Sequence, residues 1–476
     1  MFTLFNEELN RFARDTLRAH REFEAGKWTS ERLAAHQLDQ LRDVLRYTRD
    51  NSPFYGERLA GLSDERIGRF ALGDLGDLPF TTKDDLRQNM LGTASQPVTD
   101  SWVFYETTGT TGPATPCPRN NVDSIVNNTV LSLCYDTVLR RHDGPHLVAV
   151  MGPTELHSTG DTFGDVFRNL GHTVAKMWPH SPVVGYRRAL QLLREMPFTG
   201  LVCTPGMAMA LAKEARRAGL DPRRDLSVSF LLLVGELLTP ALAANIGSLW
   251  DATAYNSMYA SQEASILAAV RDDELLHTAP LNVCYEVIDP NSGTPVQAGP
   301  DGAVQGELVI THLYRGSKPL IRYRTGDMVV MRPAGTGASY PSPLLRPLGR
   351  VRDRLTLNGN TVHAFDLEQL VLGRLTGCQG YQVVIDRIEG VDTLTVLLET
   401  ADFADRSGTG TGALRADLME RFGTPAEIRF TDDLGAITTT GAMVSWKAAR
   451  IHDRRTAEPE AERLAALAIA GQREVR

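Results

Sequence analysis

Hydrophobic positions along this chain switch between helical and strand periods, and the switches mark out its parts. Residues 4–50 carry helical apolar spacing among many charges and predict two helices divided near Gly26-Lys27-Trp28. Asn51-Ser52-Pro53-Phe54-Tyr55 breaks that pattern. In Leu78-Pro79-Phe80-Thr81-Thr82-Lys83-Asp84-Asp85-Leu86, Thr81 or Thr82 is placed to cap a short helix. The aromatic and β-branched run Trp102-Val103-Phe104-Tyr105 reads as a strand, and Ser124 to Leu139 as a long apolar helix.

From His146 to Ser257 the chain alternates regularly. Strands are predicted at 146–151, 172–177, 201–203 and 229–234, and helices at 161–170, 184–194, 207–218 and 240–249. Ser229 to Val234 is apolar almost throughout, as expected of a strand covered on both faces. This rhythm predicts a parallel sheet flanked by helices, whose ligands bind at the carboxyl ends of its strands. Gly235-Glu236 falls at one such end, and Tyr259-Ala260-Ser261-Gln262-Glu263 is a candidate for another.

Beyond Ala264 the pattern turns to strands and turns: 284–288, 306–311 and 328–331, with Pro319 to Asp327 between them. Ala334 to Pro343 is rich in Gly, Pro and Ser and reads as a surface loop. A smaller α+β module begins at Gly349-Arg350, with helices at 367–375 and 414–421 and strands at 381–386 and 394–398. The tail from Glu458 to Ala468 has helical composition. The prediction is an α/β protein. It has a large N-terminal domain, residues 1–349, holding the parallel sheet, helices and a β-rich subdomain, and a small C-terminal domain, residues 350–476.

A chain of 476 residues is long enough for two or three domains. Its net charge of -8 gives no reason to expect nucleic acid or an anionic membrane as partner. No apolar run approaches the ~20 residues of a membrane span, and Met1 to Glu8 lacks a secretory leader's basic start. The five cysteines, Cys117, Cys134, Cys203, Cys284 and Cys378, are scattered and odd in number. That predicts a reducing cytoplasm rather than a disulfide framework. Cys284, though near His277, reads as a buried strand residue rather than a zinc ligand.

One stretch resists a packing explanation. Thr107-Thr108-Gly109-Thr110-Thr111-Gly112 puts four hydroxyls and two glycines in six residues. Such a loop lets a ligand approach the backbone and suits anionic oxygens, although the P-loop lysine is missing. Other candidates are ambiguous singly. Gly235-Glu236 reads equally as a strand-end turn, Tyr259 as a core aromatic and Glu263 as a solvated carboxylate. Asp327 reads as turn chemistry after Thr325-Gly326, Arg350 as a surface ion pair, and Lys447 beside Trp446 as a snorkelling side chain.

Their order and spacing are harder to obtain by chance. The chain resembles the adenylate-forming superfamily of acyl-CoA synthetases, peptide-synthetase adenylation domains and luciferases, and within it phenylacetate–CoA ligase most of all. The likeness runs from 51–55 and 78–83, through the 107–112 loop and Gly306-Glu307-Leu308-Val309 with 319–327, to Gly349-Arg350 and Lys447-Ala448-Ala449-Arg450-Ile451. It implies ATP, Mg²⁺ and, at the second step, CoA as cofactors. Thr107, Thr108, Gly109, Thr110, Thr111 and Gly112 would hold the β- and γ-phosphates. Gly235, Glu236 and Tyr259 would line the adenine pocket, and Glu263 would help hold Mg²⁺. Asp327 would bind the ribose hydroxyls, Arg350 would support ribose and phosphate, and Lys447 would reach the α-phosphate. The C-terminal domain would be mobile about a hinge at Arg352.

The sequence departs from the family's pattern at several points. Gly112-Pro113-Ala114-Thr115 lacks a lysine that many members carry, and Gln262 stands where Thr or Ser is usual. Arg352 replaces the usual hinge acid, and Asn358-Gly359-Asn360-Thr361-Val362-His363 replaces a run that lines the thiol acceptor's path in relatives. Adenylation is therefore implied at more positions than acceptor transfer. Glu155, His157 and Asp161, where the ligase is mostly aromatic and glycine-rich, are candidates to meet a polar substituent on an aryl substrate. The expected activity is ATP-dependent adenylation of a small aromatic carboxylic acid, with transfer to CoA or another acceptor. Two readings stay open beside it. One is a diazotase of natural-product biosynthesis that adenylates nitrite and diazotises an aryl amine. The other is a nucleotide-binding protein without activity, against which Glu263 and Lys447 both argue.

Overall fold

The computed structural model describes residues 6–107, 113–335, 340–375, 377–400, 409–432, 434 and 449–455. The Thr108–Gly112 part of the phosphate loop, Lys447 and the 458–468 tail lie outside them. The chain folds into two compact units, each assembled from separated segments.

The first unit comprises Met1–Arg141, Thr154–Gly171 and Met258–Pro347. The two N-terminal helices are Glu7–Glu24 and Ser30–Asn51. The second is started by the Thr29 hydroxyl, which accepts the Arg32 amide. The second helix ends at Asn51, and the predicted break at 51–55 is also the start of the next helix. The Ser52 hydroxyl caps Pro53–Arg58, and proline takes the first turn, where its missing N–H costs nothing. Leu41, Val44, Leu45, Phe54 and Tyr55 pack against Leu313 and Ile321.

The sheet of this unit has seven strands, in the order Val283–Ile288, Val304–His312, Tyr323–Arg332, Leu344–Arg350, Leu276–Thr278, Ser265–Val270 and Met258–Ser261. A separate hairpin pairs Val103–Glu106 with Pro116–Arg119. The prolines at 116 and 118 hide the second strand from a sequence reading. They are tolerated because a two-stranded sheet consists only of edges.

The second unit comprises His142–Pro153, His172–Ser257 and Leu348–Arg476. Its five-stranded sheet has the order Thr173–Lys176, Leu147–Val150, Gly200–Cys203, Phe230–Leu233 and Thr253–Asn256, every neighbouring pair parallel. Phe230, Leu231 and Leu232 are wholly buried, as the apolar run predicts. Proline opens the helices Pro205–Arg217 and Pro240–Trp250, behind the caps Thr204 and Thr239. The C-terminal module is a four-stranded sheet, Ala426–Thr431, Val391–Thr400, Cys378–Ile388 and Ile451–Asp453, with helices Ala364–Leu372 and Thr409–Phe422. It joins the parallel-sheet layer through polar ties. Asn245 exchanges bonds with the Cys378 backbone at 2.6 and 2.9 Å, and Lys213 meets Glu399 at 2.5 Å. Among the described residues no helix is long and apolar enough to cross a membrane.

Candidate active site

Glu263 is a carboxylate held on several sides. It follows the strand Met258–Ser261 in a turn pinned by the Ser261 hydroxyl, which accepts the Ala264 amide at 3.1 Å. Its side chain is buried. The Tyr323 hydroxyl donates to Oε1 at 3.0 Å, and the Lys83 ammonium lies 3.2 Å from the same oxygen. Burial pushes the carboxyl up. The Lys83 charge, its own backbone amide and the hydrogen bonds from Lys83 and Tyr323 outweigh that and bring it down to about 2. Glu263 is therefore an ionised carboxylate inside the protein.

The path that brings Lys83 there is local and traceable. Thr82 and Asp85 form a capping box that starts the helix Lys83–Asn89. Thr81 is laid alongside the sheet, donating its amide to Arg322 O at 3.0 Å and accepting the Arg324 amide at 2.8 Å. Lys83 and Tyr323 thus arrive together. Neither stands out by residue type in the sequence; the Thr-Thr-Lys-Asp-Asp capping pattern is the signal that places Lys83.

Tyr259 and Asp327 also meet, the Tyr259 hydroxyl donating to Asp327 Oδ2 at 2.8 Å. Asp327 sits within the strand Tyr323–Arg332, which begins earlier than its apolar pattern suggests. The pairing register shifts here between Glu307 and Val309. Gly326 takes φ +74° and gives its amide to Glu307 Oε1 at 3.3 Å, and the Thr325 hydroxyl donates to Leu308 O and accepts the Asp327 amide. The Thr-Gly pair is a bulge that aims the aspartate. Arg324 pairs with the buried Glu307 at 2.5 Å, and Arg322 with Glu286 at 2.9 Å. Much of this family-like segment therefore builds the sheet.

A third polar group gathers around Arg119. Its guanidinium lies 5.3 Å from the Tyr105 ring centroid and donates to Gln262 O at 3.2 Å. Tyr105 donates to Asp161 Oδ2 at 3.0 Å, and Ser158 to Gln262 Oε1 at 2.7 Å. Of the three predicted substrate-pocket residues, Asp161 and His157 join this group and Glu155 is exposed. His157 Nδ1 accepts the Thr159 amide at 3.3 Å, which leaves the proton of the neutral ring on Nε2. Burial and the Arg119 charge lower its pKa to about 4. Burial brings His20 and His312 to about 4 as well. The folded protein therefore resists protonation of all three at pH values where the unfolded chain, titrating near 6.5, accepts protons. Stability is expected to be full above pH 6.5 and to fall continuously towards pH 4, with uptake of up to about three protons on unfolding. Urea midpoints measured across that range test this; a flat profile contradicts it.

In the second unit, Gly235 ends the strand Phe230–Leu233 with φ +85°. Glu236 Oε2 accepts the Gly206 amide at 3.3 Å, at the start of the helix Pro205–Arg217, while Oε1 is buried without a partner. Burial raises this carboxyl's pKa. Arg350 closes the strand Leu344–Arg350 behind Gly349, whose φ is +105°. Arg352 is exposed beside the buried Asp353. The departure at Asn358 has a structural explanation. Asn358 and Gly359 take φ +47° and +85° in the turn between Leu355–Leu357 and Asn360–Val362. The Asn358 amide side chain donates to Asp392 O and Gly423 O, both at 3.0 Å. It is a hairpin residue, tied to its own module.

Protein-family models give no match to this chain. Curated relatives do. Phenylacetate–coenzyme A ligase of Thermus thermophilus is 26% identical over 385 residues, covering 78% of this chain and 82% of the relative. The Pseudomonas putida enzyme of the same name is 28% identical over 377 residues, with 77% and 82% covered. A solved 2-hydroxyisobutyryl-CoA ligase in the postadenylation state superposes with a TM-score of 0.72 at 19% identity, over 94% of this chain and 93% of that one. This chain is similar to these acid–CoA ligases over more than three quarters of its length, 78% and 77% of it in the two relatives. It is an acid–CoA ligase-like enzyme, and its mixed α/β fold matches that of the adenylate-forming ligases.

Proposed function

We propose that this enzyme activates a small aromatic carboxylic acid with ATP, releases pyrophosphate, and passes the acyl group to CoA. The observation carrying this reading is Glu263, a buried, ionised carboxylate held by Lys83 and Tyr323 on the same sheet as the Tyr259–Asp327 pair. An acid attacking the α-phosphate brings anion to anion, so the site must supply positive charge as the new bond forms. Glu263 offers the hard anionic oxygen that Mg²⁺ takes alongside phosphates, and the Lys83 ammonium marks it as a place where positive charge is favoured. When bound, Mg²⁺ would offset the negative charge of the reacting phosphate. The 107–112 loop would grip the leaving pyrophosphate. Gly235, Glu236 and Tyr259 would flank the adenine, and Arg350 the ribose and phosphate. Asp327, aimed by the Thr325-Gly326 bulge, would accept from the ribose hydroxyls.

Residues 350–476 would act as a mobile domain turning about Arg352, carrying Lys447 to the α-phosphate for the first half-reaction and the Gly359 face to the acceptor for the second. All five cysteines are free and buried, which suits a cytoplasmic setting. The Asn358 departure follows from hairpin geometry and Asp161 is engaged by Tyr105, so neither weighs towards a nitrite-activating diazotase.

Pyrophosphate release over a panel of aryl acids, with and without CoA, and with nitrite plus aminoaryl acids, tests the proposal. Acid-dependent release with a thioester product is expected. Release requiring nitrite, with no thioester, overturns it. Asp327→Ala is expected to raise the KM for ATP about ten-fold or more, in line with loss of charge-assisted hydrogen bonds, while the KM for the acid stays nearly unchanged. An unaltered ATP dependence removes the ribose role.

A further inference from the structure

Arg119 and Gln262 hold two donors with nothing to give to. Arg119 is only 8% exposed, its Nε is buried without a hydrogen-bond partner, and it makes no ion pair among the described residues. Gln262 Nε2 is likewise buried and unpartnered. The two residues are bound to each other, Arg119 Nη2 donating to Gln262 O at 3.2 Å. The Gln262 side chain is anchored at its other end, where Ser158 donates to Oε1 at 2.7 Å and leaves the Nε2 hydrogens uncommitted. A buried guanidinium with no carboxylate in contact, only the more distant charge of Asp123, and a buried amide without an acceptor are costly unless something else completes them. Both face the same need, an electron-rich oxygen, and Gln262 immediately precedes Glu263. Nearby, Tyr105 is committed to Asp161, and His157 is held neutral with Arg119 beside it. No carboxylate of the described chain is ion-paired with the guanidinium.

We propose that Arg119 and Gln262 form a receptor for an oxyanion or carbonyl-type acceptor borne by the acid substrate. This rests on the adenylation reading above and adds to it the groups that select the acid. The acceptor has two sources: the carboxylate that reacts, or a second electron-rich substituent such as a phenolate, nitro or carboxylate group.

The test compares the full-length wild type with Gln262→Glu, which keeps the side chain's size while replacing the donor with a repelling acceptor, and with Arg119→Gln. Pyrophosphate release is measured with benzoate, 4-hydroxybenzoate, 4-nitrobenzoate and terephthalate. The KM for the acid is expected to rise about ten-fold or more in each variant, with the KM for ATP changed less than about two-fold. A rise across all four acids assigns the receptor to the reacting carboxylate. A rise confined to the substituted acids assigns it to a second group. Unchanged acid KM values in Gln262→Glu, with the wild type active, overturn the proposal. If the wild type releases no pyrophosphate with any acid, it is the adenylation reading that fails. The receptor is then read from the thermal midpoint with these four acids alone. An acid-induced rise in the wild type that Gln262→Glu abolishes upholds the receptor, and no such rise in the wild type overturns it.

Discussion

Lys447→Ala is expected to slow adenylation by ~10²–10³-fold while leaving the fold intact, by analogy with removal of a transition-state donor at other sites of developing negative charge. The proposed reaction joins a carboxylate to a phosphate that already carries negative charge, and the charge grows as the transition state forms. A lysine that reaches the oxygens only then contributes to the barrier and little to ground-state binding, so the loss should fall on kcat and spare the KM for ATP. The fold should survive because the chain just beyond Lys447 is anchored independently. Arg450 is buried, with its guanidinium 4.9 Å from the Tyr381 ring centroid, and Ile451–Asp453 runs parallel to Cys378–Ile388. Single-turnover pyrophosphate release, with the thermal midpoint as control, makes the measurement. A near-normal rate removes Lys447 from the first half-reaction. A normal first rate with a slow thioester step would move it to the second.

Gly306→Ala is expected to destabilise the first unit by about 2–3 kcal/mol. A Cβ on Gly306 would stand 2.4 Å from Ile288 O and 3.0 Å from Val287 Cγ1. The first obstacle is backbone in the neighbouring strand, fixed by the register that pairs Val283–Ile288 with Val304–His312. Ile288 is wholly buried, so any shift of the strand disturbs packed side chains. The thermal midpoint should drop by roughly 5–10 °C. Gly68→Ala is the control. It lies inside the helix Asp64–Arg69 with nothing within 4 Å of the added methyl, and should be neutral or slightly stabilising. An unchanged midpoint for Gly306→Ala would mean that the register shift between Glu307 and Val309 absorbs the methyl. It would also detach the glycine of this family-like segment from a packing role.

Parts of this architecture are legible residue by residue. The apolar run at 229–234 is a strand buried on both faces, and the helices at 205–217 and 240–250 begin at Thr-Pro pairs whose threonines cap them. Alternation of such runs is enough to infer a parallel sheet, because burial on both faces requires helices on both. Other elements were hidden by their own chemistry. Pro116 and Pro118 argue against a strand that exists because both strands of its hairpin are edges. Asn358-Gly359, which the family likeness implies lines an acceptor path, also forms a two-residue hairpin turn that demands positive φ.

By itself, the sequence determined the order of the elements, the parallel sheet and the identity of the residues with unusual chemistry, because these depend on periodicity and local capping. Which of those residues meet was decided only by tertiary structure. Lys83 reaches Glu263 because Thr81 bridges to the strand carrying Tyr323, and Tyr259 reaches Asp327 because a bulge turns that same strand. Arg119 and Gln262 came to share an unmet need by the same route. Each of these pairings joins positions distant in the chain. Their energies depend on burial and on the charge of the partner, and neither quantity exists until the sheet has formed.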